Sequence, residues 1–201
     1  HLGEAGKLYM LDFSRLFPPQ TPSCAHKMSH LYQLLRPEFV RMYKKPLCSD
    51  AFSTFIIPDQ SDEERSKEAE EHDNEVDEAT HYLTEELLQV FAQRLVQLPR
   101  DQRDTFPLIV LLHESGINVR FLGLLYRYVE DLHDDYWATK LLVEMATRVI
   151  KVELQALLRD NKAPGESRYK KIVVRYMNTV FGNSSETKNY WRNKITPRMK
   201  K

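Results

Sequence analysis

His113-Glu-Ser-Gly-Ile-Asn-Val-Arg-Phe-Leu-Gly123 is the stretch on which the fold turns. Upstream of it Phe106, Leu108, Ile109 and Leu112 recur at helical spacing, and the pattern stops at Gly116. Downstream, Val119, Leu122, Leu125 and Tyr126 open a second apolar face at once. Glycine adopts the left-handed conformation that ends a helix, and an asparagine such as Asn118 accepts hydrogen bonds from the free amides of the next one. The stretch therefore predicts two helices joined by a tight corner.

The same logic extends outward. Tyr82, Leu83, Leu87, Leu88, Phe91 and Leu95 form one apolar stripe that Pro99 ends. A longer stripe runs from Trp137 to Leu158 through Leu141, Leu142, Met145, Val149, Leu154 and Leu157, closed by the Lys162-Ala-Pro-Gly165 turn. A further helix is expected over 166–180, with Gly182 as its stop, and Ser184 is placed to cap a last one carrying Tyr190, Trp191 and Ile195. About six helices sharing one core from Tyr82 to Val180 is the expectation, because an isolated amphipathic helix is marginal in water.

The N-terminal part reads differently. Leu8 to Phe13 is a short apolar run after Gly6, the signature of a strand leaving a turn, and Pro18-Pro19 forbids regular structure beyond it. Residues 29–43 predict a helix interrupted or restarted at Arg36-Pro37-Glu38, since proline suits a first helical position. Residues 58–74 carry almost no large apolar side chain and many acids, so they form a solvated linker or an exposed helix. The fold class expected is α+β, predominantly α: a short N-terminal strand and loop remnant packed on a multi-helix body. The domains expected are 1–58, an acidic linker at 59–76, and a helical domain at 77–201 with a basic C-terminal segment.

Composition narrows the function classes. Twenty-nine basic residues balance twenty-nine acidic ones, so no global field draws the chain to nucleic acid or membrane. No apolar run approaches the ~20 residues a membrane span requires. Cys24 and Cys48 lack metal-ligand spacing and read as two free thiols of a cytosolic protein, with a disulfide between them the alternative that nothing in the sequence requires. The chain begins with His1 rather than Met and reads as an excised piece.

Three ordered segments carry a family resemblance. Gly6-Lys-Leu-Tyr-Met-Leu-Asp-Phe-Ser-Arg-Leu-Phe-Pro-Pro19, Leu35-Arg-Pro-Glu-Phe-Val40 and Gly116-Ile-Asn-Val-Arg-Phe-Leu-Gly123 resemble motifs of the clustered-mitochondria (Clu) family, and Glu144-Met-Ala-Thr-Arg148 echoes a fourth. The likeness covers residues 1–160, with Phe13-Ser14 a departure, and 161–201 lie outside it. It implies the end of a Clu domain, over 1–58, followed by the family's helical region. It also implies a non-enzymatic cytoplasmic protein that binds messenger RNA for mitochondrial proteins, associates with ribosomes and affects mitochondrial distribution. It does not say which segment touches RNA.

The residues themselves offer several candidate sites. Asp12, in Leu11-Asp12-Phe13, resembles the aspartate with which kinase-like phosphotransferases hold Mg²⁺ against phosphate; its plainer role is a pair with Arg15 or Arg36, or the cap of a turn. Arg120 suits either a phosphate at a helix N-terminus or a carboxylate of a neighbouring helix. His26 with His30, and His133 with Asp134 and Asp135, lack the ligand pattern of zinc sites, so no metal or cofactor is expected. The second helix of the Gly116 pair offers Arg120 and Arg127 among apolar residues and then Glu130 and Asp131, which suits burial rather than DNA reading.

The C-terminal stretch hides a segregated charge. Arg168, Lys170, Lys171, Arg175, Lys188, Arg192, Lys194 and Arg198 lie there, followed by Lys200 and Lys201, with Glu186 the only acid and Tyr169, Tyr176, Phe181, Tyr190 and Trp191 interleaved. Cations that follow a phosphate backbone release counterions, and exposed aromatics stack unpaired bases. These eight residues are the candidate nucleic-acid contacts, with mRNA or the ribosome as partner and no membrane insertion. The alternatives are an ordinary amphipathic helix with its aromatics in the core, docking onto the acidic stretch from Asp62 to Glu78, and a protein–protein scaffold. No nucleophile with its base is assignable, so the chain is expected not to be an enzyme.

Overall fold

The computed structural model describes residues 16–23, 28–53, 62–105, 107–160 and 166–199, which include the Gly116 corner but not Phe106. Helix α4 (Leu108–Glu114) ends in a Schellman motif. The Gly116 amide donates to the His113 carbonyl and the Ile117 amide to the Leu112 carbonyl, both at 2.9 Å, with Gly116 at φ +74°. Leu112 and Ile117, the apolar pair that accompanies such a motif, are both fully buried. Asn118 then caps a 3₁₀ turn (Val119–Phe121), its Oδ1 accepting from the Arg120 amide at 3.2 Å.

The glycine is needed for room as much as for its dihedral. A Cβ on Gly116 would lie 2.6 Å from the backbone nitrogen of Phe39. Phe39 belongs to α1 (Pro37–Met42), so the second and third Clu-like segments meet backbone to backbone. Arg120 tightens the contact by donating from Nη2 to the Leu34 carbonyl. That carbonyl is a partner that neither of the two sequence readings named. Loss of water around the Arg120 guanidinium lowers its pKa to about 10, which leaves it cationic at neutral pH.

The chain divides into two compact units, residues 1–121 and 122–201, where the sequence suggested one shared core. In the first, the helix expected over 29–43 is reduced to a 3₁₀ turn (Ser29–Leu31) and α1. Proline forces the residue before it out of helical geometry, and Arg36 is extended at ψ 145°. The stretch between pairs instead with the Pro-Pro segment: the Leu35 amide donates to the Pro18 carbonyl and the Gln20 amide to the Gln33 carbonyl, both at 2.8 Å. Pro19 and Leu34 form an isolated antiparallel bridge, and no strand is present among the described residues. The expected strand at Leu8–Phe13 lies outside them, as do Asp12 and Arg15. Arg36 has its own partner, a bidentate pair with Glu38 at 3.0 and 3.1 Å, and the hydrogen bond from Arg36 holds the Glu38 carboxyl below its usual range.

The acidic stretch takes the helical form of the two expected. α2 (Asp62–His81) runs through a π-helical turn (Tyr82–Leu87) into α3 (Leu88–Gln97) without a break. Its charged exterior is compatible with burial of Val76 and Ala79 on one side. N-terminal residues fasten it: Thr21 donates from its amide to Thr80 Oγ1 at 3.1 Å and from its hydroxyl to Asp77 Oδ1 at 3.0 Å. The Phe52 amide donates to Asp73, and Lys45 pairs with Glu78 at 2.9 Å.

The π turn changes the phase of the stripe. The Thr84 hydroxyl donates back to the carbonyls of Thr80 and His81, which competes with the regular helical ladder. Burial therefore steps from Leu83 to Leu88, then to Phe91, Ala92 and Leu95, while Tyr82 is partly exposed and rests on Phe39 and Tyr43.

The second unit comprises α5 (Leu122–Asp131), α6 (Asp135–Asp160), α7 (Glu166–Phe181), α8 (Ser185–Tyr190), a π turn (Trp191–Ile195) and α9 (Thr196–Met199). Leu122, Leu125 and Val129 of α5 are buried, as expected of that helix, and so are Trp137, Leu141 and Met145 of α6. His133, at φ +56°, is the left-handed residue that ends α5. Asp134 caps α6, its Oδ1 accepting from the Trp137 amide at 2.9 Å. These roles account for two of the three residues weighed as a metal cluster. No single helix among the described residues is long and apolar enough to cross a membrane.

Candidate functional site

The basic C-terminal stretch is organised by α7. That helix stops at Gly182, where a Cβ would lie 2.5 Å from the Asn178 carbonyl oxygen. Ser184 starts α8 as expected, its Oγ accepting from the Thr187 amide at 3.2 Å.

One face of α7 is interior. Tyr176 and Val180 are buried, and the Tyr176 ring meets Tyr190 edge-on at 6.2 Å. The Tyr176 hydroxyl donates to the Ile150 carbonyl at 3.2 Å, and Trp191 Nε1 to the Val180 carbonyl at 2.8 Å. The Tyr190 hydroxyl donates to Glu153 of α6, which also pairs with Arg198 at 2.5 Å. Burial first, and then the bond to Glu153, push the Tyr190 phenol well above its ordinary pKa, so it remains a donor at neutral pH. Tyr176 is thus an interior residue, and Tyr190 and Trp191 are half-buried with their polar atoms bonded inside the unit. Arg198 is tied to a carboxylate whose side chain is only 13% exposed.

The other face of α7 is open. Lys170, Lys171, Val174, Arg175, Asn178 and Thr179 line a groove of about 760 Å³, bordered by Ser184 and Glu186. Glu186 is the only acid between residues 169 and 199. A second groove, of about 530 Å³, shares Arg175 and Thr179. It adds Lys194 and Arg198, but faces Glu153 and Asp160 and has Leu157 and Ile172 in its wall.

Three of the eight candidate cations, Lys170, Lys171 and Arg175, therefore converge on one groove. Lys194 and Arg198 share the second groove with two acids. Lys188 and Arg192 are exposed and line neither. Arg168 lies in the first turn of α7, and its side chain is outside the described ones, as are Lys200 and Lys201. Asn178 was missed, although its spacing from Lys171 and Val174 places it on the same face. Glu153, the hub of the interior polar cluster, left no comparable signal. Cys48 is a free thiol, and Cys24 and His26 lie outside the described residues.

Residues 102–201 match the family model described as Translation initiation factor eIF3 subunit 135. The match begins before α4 and runs through the Gly116 corner to α9. Of the Clu-like segments, Gly116–Gly123 and Glu144–Arg148 fall inside it, and Gly6–Pro19 and Leu35–Val40 outside. It is a likeness to a translation-initiation factor and not to a Clu model. Comparison with curated proteins and with solved structures found no match.

Proposed function

We propose that this chain is a non-catalytic, cytoplasmic interaction module of the translation apparatus that holds RNA, as messenger RNA or on the ribosome, in the cationic groove of α7. The observation that carries this reading is the convergence of Lys170, Lys171 and Arg175 on one open face with a single acid nearby. A groove of this kind tracks a phosphate backbone and gains affinity from counterion release. The likeness of residues 102–201 to a translation-factor subunit supports the setting. The Clu resemblance supports a finer version, in which the RNA encodes mitochondrial proteins and the protein affects mitochondrial distribution; sequencing the RNA crosslinked to the full chain in cells tests it.

The direct test is fluorescence anisotropy with a single-stranded RNA across a salt series. Three phosphate contacts predict that log K falls with log salt at a slope of about −2. Reversing all three cations (Lys170→Glu, Lys171→Glu, Arg175→Glu) should abolish binding while the exposed sites leave the melting curve unchanged. Binding indifferent to salt and to these changes would refute the reading.

A protein partner is the second reading, favoured by the second groove. Leu157 and Ile172 sit there among Arg175, Lys194 and Asp160, the mixture of apolar and charged groups that protein interfaces carry. Crosslinking through a photoreactive residue in place of Lys194 would capture a protein on that reading, whereas the same residue in place of Lys170 would capture RNA on the first.

A further inference from the structure

Lys170, Val174, Asn178 and Phe181 follow one another along α7 at steps of four, four and three residues, so they share a single helix face. The first three line the cationic groove. Phe181, the last residue of the helix, continues the row and is 72% exposed. It is the exception among the aromatics of this segment: Tyr176 is buried, Tyr190 and Trp191 are half-buried and hydrogen-bonded, and Tyr169 is less exposed. Among the described residues, nothing covers the greater part of this side chain.

We infer that Phe181 is a stacking platform for an unpaired nucleobase, placed where a strand leaves the Lys170–Lys171–Arg175 groove, with the exposed Asn178 amide beside it to meet the base edge. The inference rests on the RNA reading above and specifies its ligand as single-stranded. A duplex keeps its bases stacked on one another and offers the groove only phosphates. A strand with free bases offers both a charged backbone and a π face, which the cations and the ring take separately. The Asn178 side chain carries donors and an acceptor, so it can meet any base edge without selecting one sharply.

The two contributions separate experimentally because one depends on salt and the other on the presence of a base. The full chain should bind oligoadenosine about 5- to 150-fold tighter than an abasic strand of the same length. Phe181→Ala should lower oligoadenosine binding to the abasic level, leaving both abasic affinity and the salt slope unchanged, and Phe181→Trp should retain the preference. A 2-aminopurine in the strand should be quenched by the wild-type protein and less by Phe181→Ala. Equal affinity of the wild type for the two strands, or a preference that survives Phe181→Ala, would overturn the stacking site while leaving the groove's RNA binding intact. Failure of the wild type to bind either strand would overturn both.

Discussion

Two helix ends in this chain are closed by the same pair of hydrogen bonds and by different residues. At the end of α4 the left-handed position is Gly116, whose amide donates to the His113 carbonyl while the Ile117 amide donates to that of Leu112, both at 2.9 Å. At the end of α5 it is His133, whose amide donates to the Glu130 carbonyl at 3.0 Å while the Asp134 amide reaches Val129 at 3.5 Å. The dihedrals are similar, +74° and +56°. What differs is space. Gly116 lies against the Phe39 backbone, closer than any Cβ could approach, whereas His133 is exposed. A left-handed dihedral alone costs a residue with a Cβ roughly 1–2 kcal/mol, which a well-capped surface turn tolerates. A missing volume is not negotiable in the same way.

That comparison can be tested at graded cost. Gly116→Ala should be the most damaging change, because the dihedral cost adds to overpacking of ~1–3 kcal/mol, about 2–5 kcal/mol in all. A loss limited to the ~1–2 kcal/mol of the dihedral would show that α1 yields, and a urea midpoint equal to wild type would refute both costs. Arg120→Met removes the second clamp of the first corner and leaves the Leu34 carbonyl unpaired, at about 2 kcal/mol for a charged hydrogen bond. At the second corner the Asp134 side chain caps α6, so Asp134→Ala should cost about 1 kcal/mol in the same assay. His133→Gly should be the mildest and of opposite sign, a gain of under ~1 kcal/mol, since the freer unfolded glycine offsets part of the relief. A loss of stability there would mean that the positive dihedral is not what separates the two corners.

How far the sequence could be read follows from the same distinction between local and distant causes. Gly116, Asn118 and Ser184 act on amides within a few residues, and each does what its residue type predicted. Proline's effect on Arg36 is equally local, yet the extended segment before it needed Pro18 and Gln20 as distant pairing partners, which spacing does not reveal. Neither the π turn at Tyr82 nor the carbonyl that Arg120 reaches has a periodic signature. In the basic segment the charges were legible, but their division into two grooves depends on Glu153 and Asp160, which lie on α6. Which aromatics are buried depends on packing against α6 as well, and only Phe181, at the helix end, is left largely in water.

The widened turn at Tyr82–Leu87 has a consequence for how the chain can change length. It holds one residue more than a regular helix would use between Leu83 and Leu88. Excising the exposed Glu85 would let the backbone relax into ordinary α-helix with both leucines still inward. Excising the exposed Gln93 from α3 would swing everything after it by about 100° and turn Leu95 outward. The rod thus has a slack link and a taut one a few residues apart, and the cooperativity of melting in the two shortened chains would tell them apart.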